Sequence, residues 1–399
     1  MVAIRETSPH QHCNTIMTEP RIIGLKSRGQ AVPRPAPTGL DGEGTLHDAV
    51  RDLITAYHDL NPTTIDALHE EPSPLEFMRY VARNRPFVVR KGASSWPSHK
   101  KWNAAYLSSI MGSTPVNVAI TPHGNADAIL HLSPTRALFV KPFETTLPFS
   151  AAQSRIQAQE LDPAWSNATC YLQTQNDNLR GEYATLFQDV PASISWARIA
   201  LKKDADAINF WLGNSASTTA LHKDNYENVY VQVLGQKHFV LLPPVEAPCV
   251  NERAVLAATY AYGGSPESDS HVKEDMVVSI DGAGEGEDQS YVPFATWDPD
   301  RPEEHATPFS RYSQPLRVTL EEGDMLYLPA LWYHQVSQSC NVEGLCCAVN
   351  YWYDLDFSGG FWAGSSFVRD VALLEERRRK EVHDDTESGA KQVQESTWF

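Results

Sequence analysis

Two residues that together could bind a metal ion stand two positions apart in the stretch TTALHKDNYENVYVQVLGQKHFVLLP, residues 218–243. Its alternation of apolar and polar residues predicts β-strands. On an extended strand His222 and Asp224 leave the same face, so their imidazole and carboxylate can bind one ion. The chain has 14 histidines, so this pair alone is weak evidence, and a hydrogen-bonded surface pair is the alternative interpretation.

A downstream histidine strengthens the metal interpretation. The stretch GDMLYLPALWYH places Gly323, Pro329 and His334 in the order of a turn, a strand and a bend that returns the histidine toward the same site. Two histidines and one carboxylate, with the other coordination positions open, suit non-haem Fe(II) and oxygen chemistry. A structural zinc site would usually use four His or Cys ligands, and the sequence shows no fourth. The pattern therefore predicts a catalytic iron centre.

A lysine follows this motif on the strand that folds back beside it. An iron oxygenase needs two electrons from a co-substrate, and 2-oxoglutarate would need a cation for the carboxylate far from the metal. Lys237, fifteen residues after His222, is the candidate. A lysine at a strand start is ordinarily a solvated edge residue, but beside the three metal ligands we predict that it binds this carboxylate.

The elements that must position these residues follow from the hydrophobic pattern. Helical spacing begins at Leu46, and Ser73 and Pro74 are typical of the start of a second helix. Short strands follow one another after Ile199, which predicts a barrel or sandwich. We predict a disordered extension over residues 1–44, a catalytic domain over 45–360 with its core over 170–355 and an acidic surface insertion over about 250–315, and a C-terminal helix and polar tail over 361–399.

Composition narrows the class of protein. The 399 residues are 42% hydrophobic, carry a formal net charge of -17, and contain no run of apolar residues long enough for a membrane span or a signal peptide. The six cysteines show no CxxC spacing, which favours reduced thiols and a cytoplasmic or nuclear protein. The net charge disfavours a nucleic-acid substrate.

The stretch from Tyr171 to Tyr353 resembles the jumonji-C (JmjC) branch of the Fe(II) and 2-oxoglutarate dependent oxygenases, of the cupin-8 type, through YLQTQNDNL, HKDNYENVYVQVLGQKHFVLLPP, MLYLPALWYHQV and AVNYWYD. The resemblance implies a mainly β protein with flanking helices, built on a double-stranded β-helix (jelly-roll or cupin) barrel. It also implies Fe(II), 2-oxoglutarate and O2 as cofactor and co-substrates.

The same resemblance assigns roles to individual residues. His222, Asp224 and His334 would bind iron, and Lys237, Thr219 and Tyr171 would bind the far carboxylate of 2-oxoglutarate. Asn228 and Asn350 would lie near its metal-binding end. The polar face of the predicted strand would then be the lined interior of the barrel. Outside these roles, Tyr230 and Gln232 either line the substrate mouth or bond to one another, and Trp352 and Tyr353 are predicted to be wall packing.

Within this family the resemblance is to the protein lysyl hydroxylases, which implies a lysine-presenting protein substrate and partners among the developmentally regulated GTP-binding proteins. A histone lysine demethylase, a tRNA-base hydroxylase and a non-catalytic JmjC interaction protein are the alternatives. Apolar residues of the C-terminal helix, including Val368 and Leu374, would either pair with a second copy in a homodimer or cap the barrel of the same chain.

Overall fold

This computed structural model describes residues 45–133, 136–165, 167–263, 275–282 and 288–395. The predicted disordered extension over residues 1–44 lies outside the described residues, as do parts of the predicted insertion and the last four residues of the tail. None of the helices described is long and apolar enough to cross a membrane.

Helices frame the N- and C-terminal parts of the described chain, and strands fill most of the rest. The helices are α1 (Leu46–Leu60), α2 (Pro74–Arg83), α3 (Pro97–Lys101), α4 (Ala104–Met111), α5 (Phe149–Leu161), α6 (Ser195–Leu201) and α7 (Gly360–Glu395). The strands are β1 (Asp66–Leu68), β2 (Phe87–Val89), β3 (Pro115–Thr121), β4 (Asn125–Ala126), β5 (Ala128–His131), β6 (Ala137–Lys141), β7 (Phe143–Pro148), β8 (Thr169–Tyr171), β9 (Ala207–Gly213), β10 (Thr218–Lys223), β11 (Tyr226–Leu234), β12 (Gln236–Leu242), β13 (Glu252–Tyr262), β14 (Met276–Ile280), β15 (Tyr291–Ala295), β16 (Leu316–Leu320), β17 (Met325–Leu328), β18 (Tyr333–Ser339) and β19 (Cys346–Asp354).

Two large sheets form the centre of the fold. One has the order β1-β2-β17-β11-β19-β9 and the other the order β16-β12-β18-β10-β4. Tyr230 and Leu326 from the first sheet pack with Phe239, Leu241 and Val336 from the second in one buried cluster, so the sheets lie face to face. The predicted mainly β cupin fold is confirmed as a jelly roll, and its described strands do not close into a barrel.

Strand β11 explains why a buried strand has a polar face. Its valines at 229, 231 and 233 belong to the core shared with the helices on the outside of the six-stranded sheet. The alternate residues point between the two sheets. There, Gln232 is fully buried and donates to the Leu234 carbonyl at 2.6 Å, and no hydrogen bond joins the side chains of Tyr230 and Gln232 among the described residues.

The first two helices begin as their sequences predict. Helix α2 has Pro74 at its first position and a capping box in which Ser73 and Glu76 bond to each other's backbone N–H. Helix α1 has the same arrangement between Thr45 and Asp48. The region predicted as a C-terminal helix and polar tail, residues 361–399, is one helix throughout its described part, because α7 runs from Gly360 to Glu395.

The described part of the segment over residues 250–315 contains three strands that the sequence pattern does not predict. Strand β13 pairs with β14, β15 and β6, and β6 pairs with β5, which makes a further sheet. The pattern of β13 mixes buried and half-buried residues irregularly, and its partner β6 lies more than a hundred residues earlier in the chain. Pairing over such a distance leaves no local signal in the sequence.

Candidate active site

The three predicted metal ligands lie together between the two large sheets. His222 on β10 is the register partner of His334 on β18, and Asp224 follows β10 directly. The Oδ2 atom of Asp224 lies 3.9 Å from His222 Nε2 and 3.6 Å from His334 Nε2. One possible ligand atom from each residue lies within 4.8 Å of those of the other two, so the three atoms could hold a metal ion.

Backbone carbonyls set the tautomer of both imidazoles. The Nδ1 atom of His222 lies 2.8 Å from the Ala220 carbonyl, and that of His334 lies 3.1 Å from the Trp332 carbonyl. Because a carbonyl only accepts hydrogen bonds, each Nδ1 carries the proton and each Nε2 keeps its lone pair toward Asp224. Burial, helped by the nearby His222, lowers the pKa of His334 to about 4, so its ring is neutral at pH 7 and able to bind a metal.

The bend before the third ligand is held by contacts from distant parts of the chain. Leu331 adopts a left-handed conformation, with φ of 68°, which costs a non-glycine residue roughly 1–2 kcal/mol. Its backbone N–H donates to the Asp224 carbonyl at 2.8 Å. The Asn84 amide donates to the Ala330 carbonyl at 3.0 Å, and the Trp332 indole donates to Asn84 Oδ1 at 2.6 Å. Sequence reasoning missed Asn84, whose only local signal is its place at the end of α2.

A cavity that is partly open to solvent contains the triad. The structure brings every predicted site residue to its wall, namely Tyr171, Thr219, His222, Asp224, Asn228, Lys237, His334 and Asn350. Tyr230 and Trp352, predicted to line the substrate mouth or to form the wall, also line it. The remaining lining residues were not assigned a role from the sequence: Gln173, Gln175, Trp211, Phe239 and Val336.

A buried lysine occupies the end of the cavity away from solvent. Lys237 is 3% exposed, and its Nζ donates to the Tyr171 hydroxyl at 3.0 Å. Burial by itself lowers the pKa of Lys237, but the oxygens of Tyr171 and Tyr230 hold it above its usual value. Within the described part of the chain, no carboxylate lies within 4.0 Å of this ammonium group. A buried cation without a counter-ion is costly, so this end of the cavity is suited to an anion.

A glycine allows Tyr171 to approach the lysine. A Cβ atom at Gly213 would lie 2.6 Å from Cδ2 of Tyr171 and 2.8 Å from Nε2 of Gln338, closer than atoms can pack. Sequence reasoning missed Gly213, although a glycine inside the predicted strand AINFWLGN is a known sign of close approach by another group.

The middle of the cavity is a chain of hydrogen bonds between side chains. The Trp211 indole donates to Asn350 Oδ1 at 2.9 Å, and the Asn350 amide donates to Asn228 Oδ1 at 3.2 Å. These bonds fix the orientation of both amides, which are almost completely buried. Trp352 forms the wall beside them and stacks on Tyr226 with 4.8 Å between ring centroids. Tyr353, by contrast, lies in the core on the outer side of the sheet.

Comparison with known proteins identifies this arrangement. The cupin-like domain family matches residues 72–359. The human bifunctional peptidase and (3S)-lysyl hydroxylase JMJD7 is 37% identical over 78% of this chain and 91% of its own length. The Arabidopsis thaliana lysine-specific demethylase JMJ32 is 34% identical over 74% of this chain and 83% of its own length. The human tRNA wybutosine-synthesizing protein 5 is 22% identical over 65% of this chain and 70% of its own length. The chain therefore belongs to the cupin-like domain family and is a 2-oxoglutarate-dependent oxygenase of its JmjC branch.

Proposed function

We propose that this enzyme hydroxylates a lysyl side chain of a protein substrate, using Fe(II), 2-oxoglutarate and O2. The observation that carries the proposal is a single cavity that joins the His222, Asp224 and His334 triad to the buried ammonium group of Lys237. The similarity to a human lysyl hydroxylase over most of both chains supports lysine as the target.

The donor set of the triad fits Fe(II). Two imidazole Nε2 atoms and one carboxylate oxygen converge from two adjacent strands, and this combination leaves coordination positions for co-substrates. When bound, iron and 2-oxoglutarate would supply the activation of O2 that places one oxygen atom on an unreactive carbon, with succinate and CO2 as co-products. The role of His222, Asp224 and His334 is to hold the metal in one orientation toward the cavity.

The cavity fits 2-oxoglutarate at the end occupied by Lys237. Its ammonium group would pair with the far carboxylate, and the hydroxyls of Tyr171 and Thr219 would donate to the same group, because charge-assisted hydrogen bonds are the strongest available there. Asn228 and Asn350 would lie beside the metal-binding end of the co-substrate.

Asp127 supports a cationic substrate. It directly follows β4, whose Ala126 pairs with Thr219 on the metal-binding strand. Burial raises the pKa of Asp127. No described residue forms a hydrogen bond or ion pair with its carboxylate. We propose that this carboxylate receives the ammonium group of the substrate lysine.

Mass spectrometry of lysine-containing peptides tests the proposal. Peptides, including sequences from GTP-binding proteins, are incubated with the enzyme, Fe(II), 2-oxoglutarate and O2, with the His222→Ala variant as control. We expect one added oxygen on lysine and an equivalent amount of succinate, both absent with the variant. Succinate formed at the same rate by the variant would contradict the role of the triad, and wild-type enzyme that modifies no lysine would contradict the substrate.

Demethylation is the second candidate, because a relative with 34% identity is named a lysine-specific demethylase. The same cavity would then accept a methylated lysine, and hydroxylation of the methyl group would release it. Methylated histone peptides in the same assay separate the two functions: loss of a methyl group indicates demethylation, and an oxygen retained on lysine indicates hydroxylation. Binding of tRNA at physiological salt tests the third activity found among the relatives.

We propose the cytoplasm as the site of action, with the nucleus as the alternative, and GTP-binding proteins as the first substrates to test. We also propose that α7 forms a homodimer through its exposed Phe367 and Leu374. The same helix contacts its own chain, because Val371 packs against the cluster around Ile54 and Phe309. The molecular mass in solution tests this proposal, and a monomeric mass would remove it.

A further inference from the structure

A buried carboxylate lies behind the triad, on the side of the metal-binding strands away from the cavity. Glu252, the first residue of β13, is 6% exposed. Its Oε1 accepts a hydrogen bond from Arg369 Nε at 2.7 Å. Its Oε2 lies 3.6 Å from Lys223 Nζ and 3.5 Å from the Tyr333 hydroxyl. Four separate elements, β10, β13, β18 and α7, therefore meet at this one side chain.

The residues that Glu252 contacts are immediate neighbours of the metal ligands. Lys223 and Tyr333 are register partners across β10 and β18, directly beside the pair formed by His222 and His334. Lys223 also donates to the Tyr333 hydroxyl at 3.3 Å and lies 5.0 Å above the centre of its ring. Because side chains alternate along a strand, this pair faces away from the cavity while its neighbours face into it.

We propose that Glu252 is a positioning residue that holds β10 and β18 at the spacing at which the two imidazoles can bind one metal ion. Arg369 balances its charge and thereby connects α7 to the metal site. This inference rests on the proposed function only in that the triad binds a metal. It concerns contacts outside the metal ligands, which orient the ligands and are as necessary to a metal site as the ligands themselves.

The charges of the cluster make this contact specific. Lys223 Nζ lies 3.6 Å from Glu252 Oε2 and 3.3 Å from the Tyr333 hydroxyl. The carboxylate of Glu252 is thus an anion in contact with a cation that stands between two metal ligands in the sequence. Replacing Glu252 by glutamine retains its shape and removes its charge, which leaves the buried Lys223 without its carboxylate partner and Arg369 paired only with Asp370, at 3.6 Å.

The test measures metal affinity rather than catalysis. Mn(II) is titrated into the full chain, and the free ion is followed by electron paramagnetic resonance, for the wild type, Glu252→Gln and Arg369→Met. Arg377→Met is the matched control, since Arg377 lies exposed on the same helix and none of the described residues forms an ion pair with it. We expect Kd to rise about 10- to 100-fold for the first two variants, to recover largely in Arg369→Lys, and to stay unchanged in the control.

Thermal unfolding of the metal-free proteins separates positioning from simple stabilisation. Arg369→Met or Glu252→Gln could unfold at a lower temperature than the wild type and still bind Mn(II) with the same Kd. That result would mean that the cluster only stabilises the fold, and it would overturn the inference. Arg369→Met leaves the carboxylate in place, so it keeps the test valid should Glu252→Gln fail to fold. Absence of Mn(II) binding by the wild type would instead contradict the proposed function.

Discussion

Replacing Lys237 by methionine should change the stability of the enzyme in opposite directions with and without 2-oxoglutarate. In the unliganded enzyme this buried ammonium group has the Tyr171 hydroxyl as its hydrogen-bond partner at 3.0 Å. Substituting a buried charge by an apolar side chain of similar length is neutral or stabilising by about 1–4 kcal/mol. A domain of this size gains roughly 1–2 °C in Tm per kcal/mol. We therefore expect Lys237→Met to keep or raise the Tm of the unliganded protein, by up to several degrees.

The same substitution should remove most of the affinity for 2-oxoglutarate. If the far carboxylate binds Lys237, the variant buries that carboxylate without its cation, which costs about 3–5 kcal/mol and weakens binding by more than roughly 100-fold. Wild-type enzyme loaded with Mn(II) should gain about 2.7 kcal/mol of stability at a 2-oxoglutarate concentration of 100 times Kd. Lys237→Met should show almost none of this gain at the same concentration.

Differential scanning fluorimetry of the Mn(II)-loaded proteins, with and without 2-oxoglutarate, measures both effects in one experiment. The control is Lys100→Met, because Lys100 is exposed and none of the described residues forms an ion pair with it; it should respond to 2-oxoglutarate like the wild type. A Lys237→Met protein that unfolds well below the wild type yet keeps the full gain from 2-oxoglutarate would refute the reasoning. In that case the lysine would serve the fold, and the co-substrate would bind elsewhere.

Three further substitutions test other parts of the structure. Gly213→Ala should displace the Tyr171 ring, because the new Cβ would lie 2.6 Å from its Cδ2; we expect a loss of about 1–3 kcal/mol of stability and a higher KM for 2-oxoglutarate. The control Gly364→Ala, which has no atom within 4 Å of the new Cβ, should change neither quantity. Equal KM values for the two variants would contradict this packing. Burial raises the pKa of Asp189, but its hydrogen bonds, led by the one from Lys101, lower it more, so the pKa lies below its usual value of 3.8. Urea unfolding of Asp189→Asn should therefore show about 1–3 kcal/mol less stability than the wild type above about pH 5, and this difference should shrink as the pH falls below about 4. A difference that grows in acid would contradict this sign. Asp127→Asn should raise the KM for a lysyl peptide about 10-fold, as expected for loss of one charge-assisted hydrogen bond, with the KM for 2-oxoglutarate unchanged, and a change in the second KM alone would exclude the proposed contact.

The parts of the site that the sequence could predict are those whose signal is local. His222 and Asp224 are two apart on a strand, so the period of the strand alone places them on one face. His334 follows a turn, a strand and a bend within a dozen residues. Both relations are set by short-range geometry, which a pattern of residue types can carry. The prediction that Lys237 lies on the strand that folds back beside this motif is wrong, because β12 pairs with β16 and β18, and β18 separates it from β10 in the sheet.

The parts that could not be predicted depend on contacts between distant segments. Asn84 reaches a bend almost 250 residues later, and Trp211 meets Asn350 across 139 positions. The pairing of β13 with β6 joins segments more than a hundred positions apart, in a region for which the sequence predicts only an acidic surface insertion. Nothing in the composition around these residues indicates their partners, because an asparagine or tryptophan has the same local preferences whether or not its distant partner exists.

This difference between local and distant signals arises because some residues of the site would contact the ligands and others only hold those residues in place. The residues that would touch iron and 2-oxoglutarate must have a particular chemistry, so their types reveal them. The residues that hold those groups in place, such as Asn84, Gly213 and Glu252, need only the right size or charge at one point in space, which many sequences could provide. These residues keep neighbouring segments at a fixed distance. Two contacts show this: the Trp332 indole lies 2.6 Å from Asn84 Oδ1, and Lys223 Nζ lies 3.6 Å from Glu252 Oε2. Substitutions at these positions should therefore alter metal or co-substrate affinity while every residue that would contact those ligands is still present.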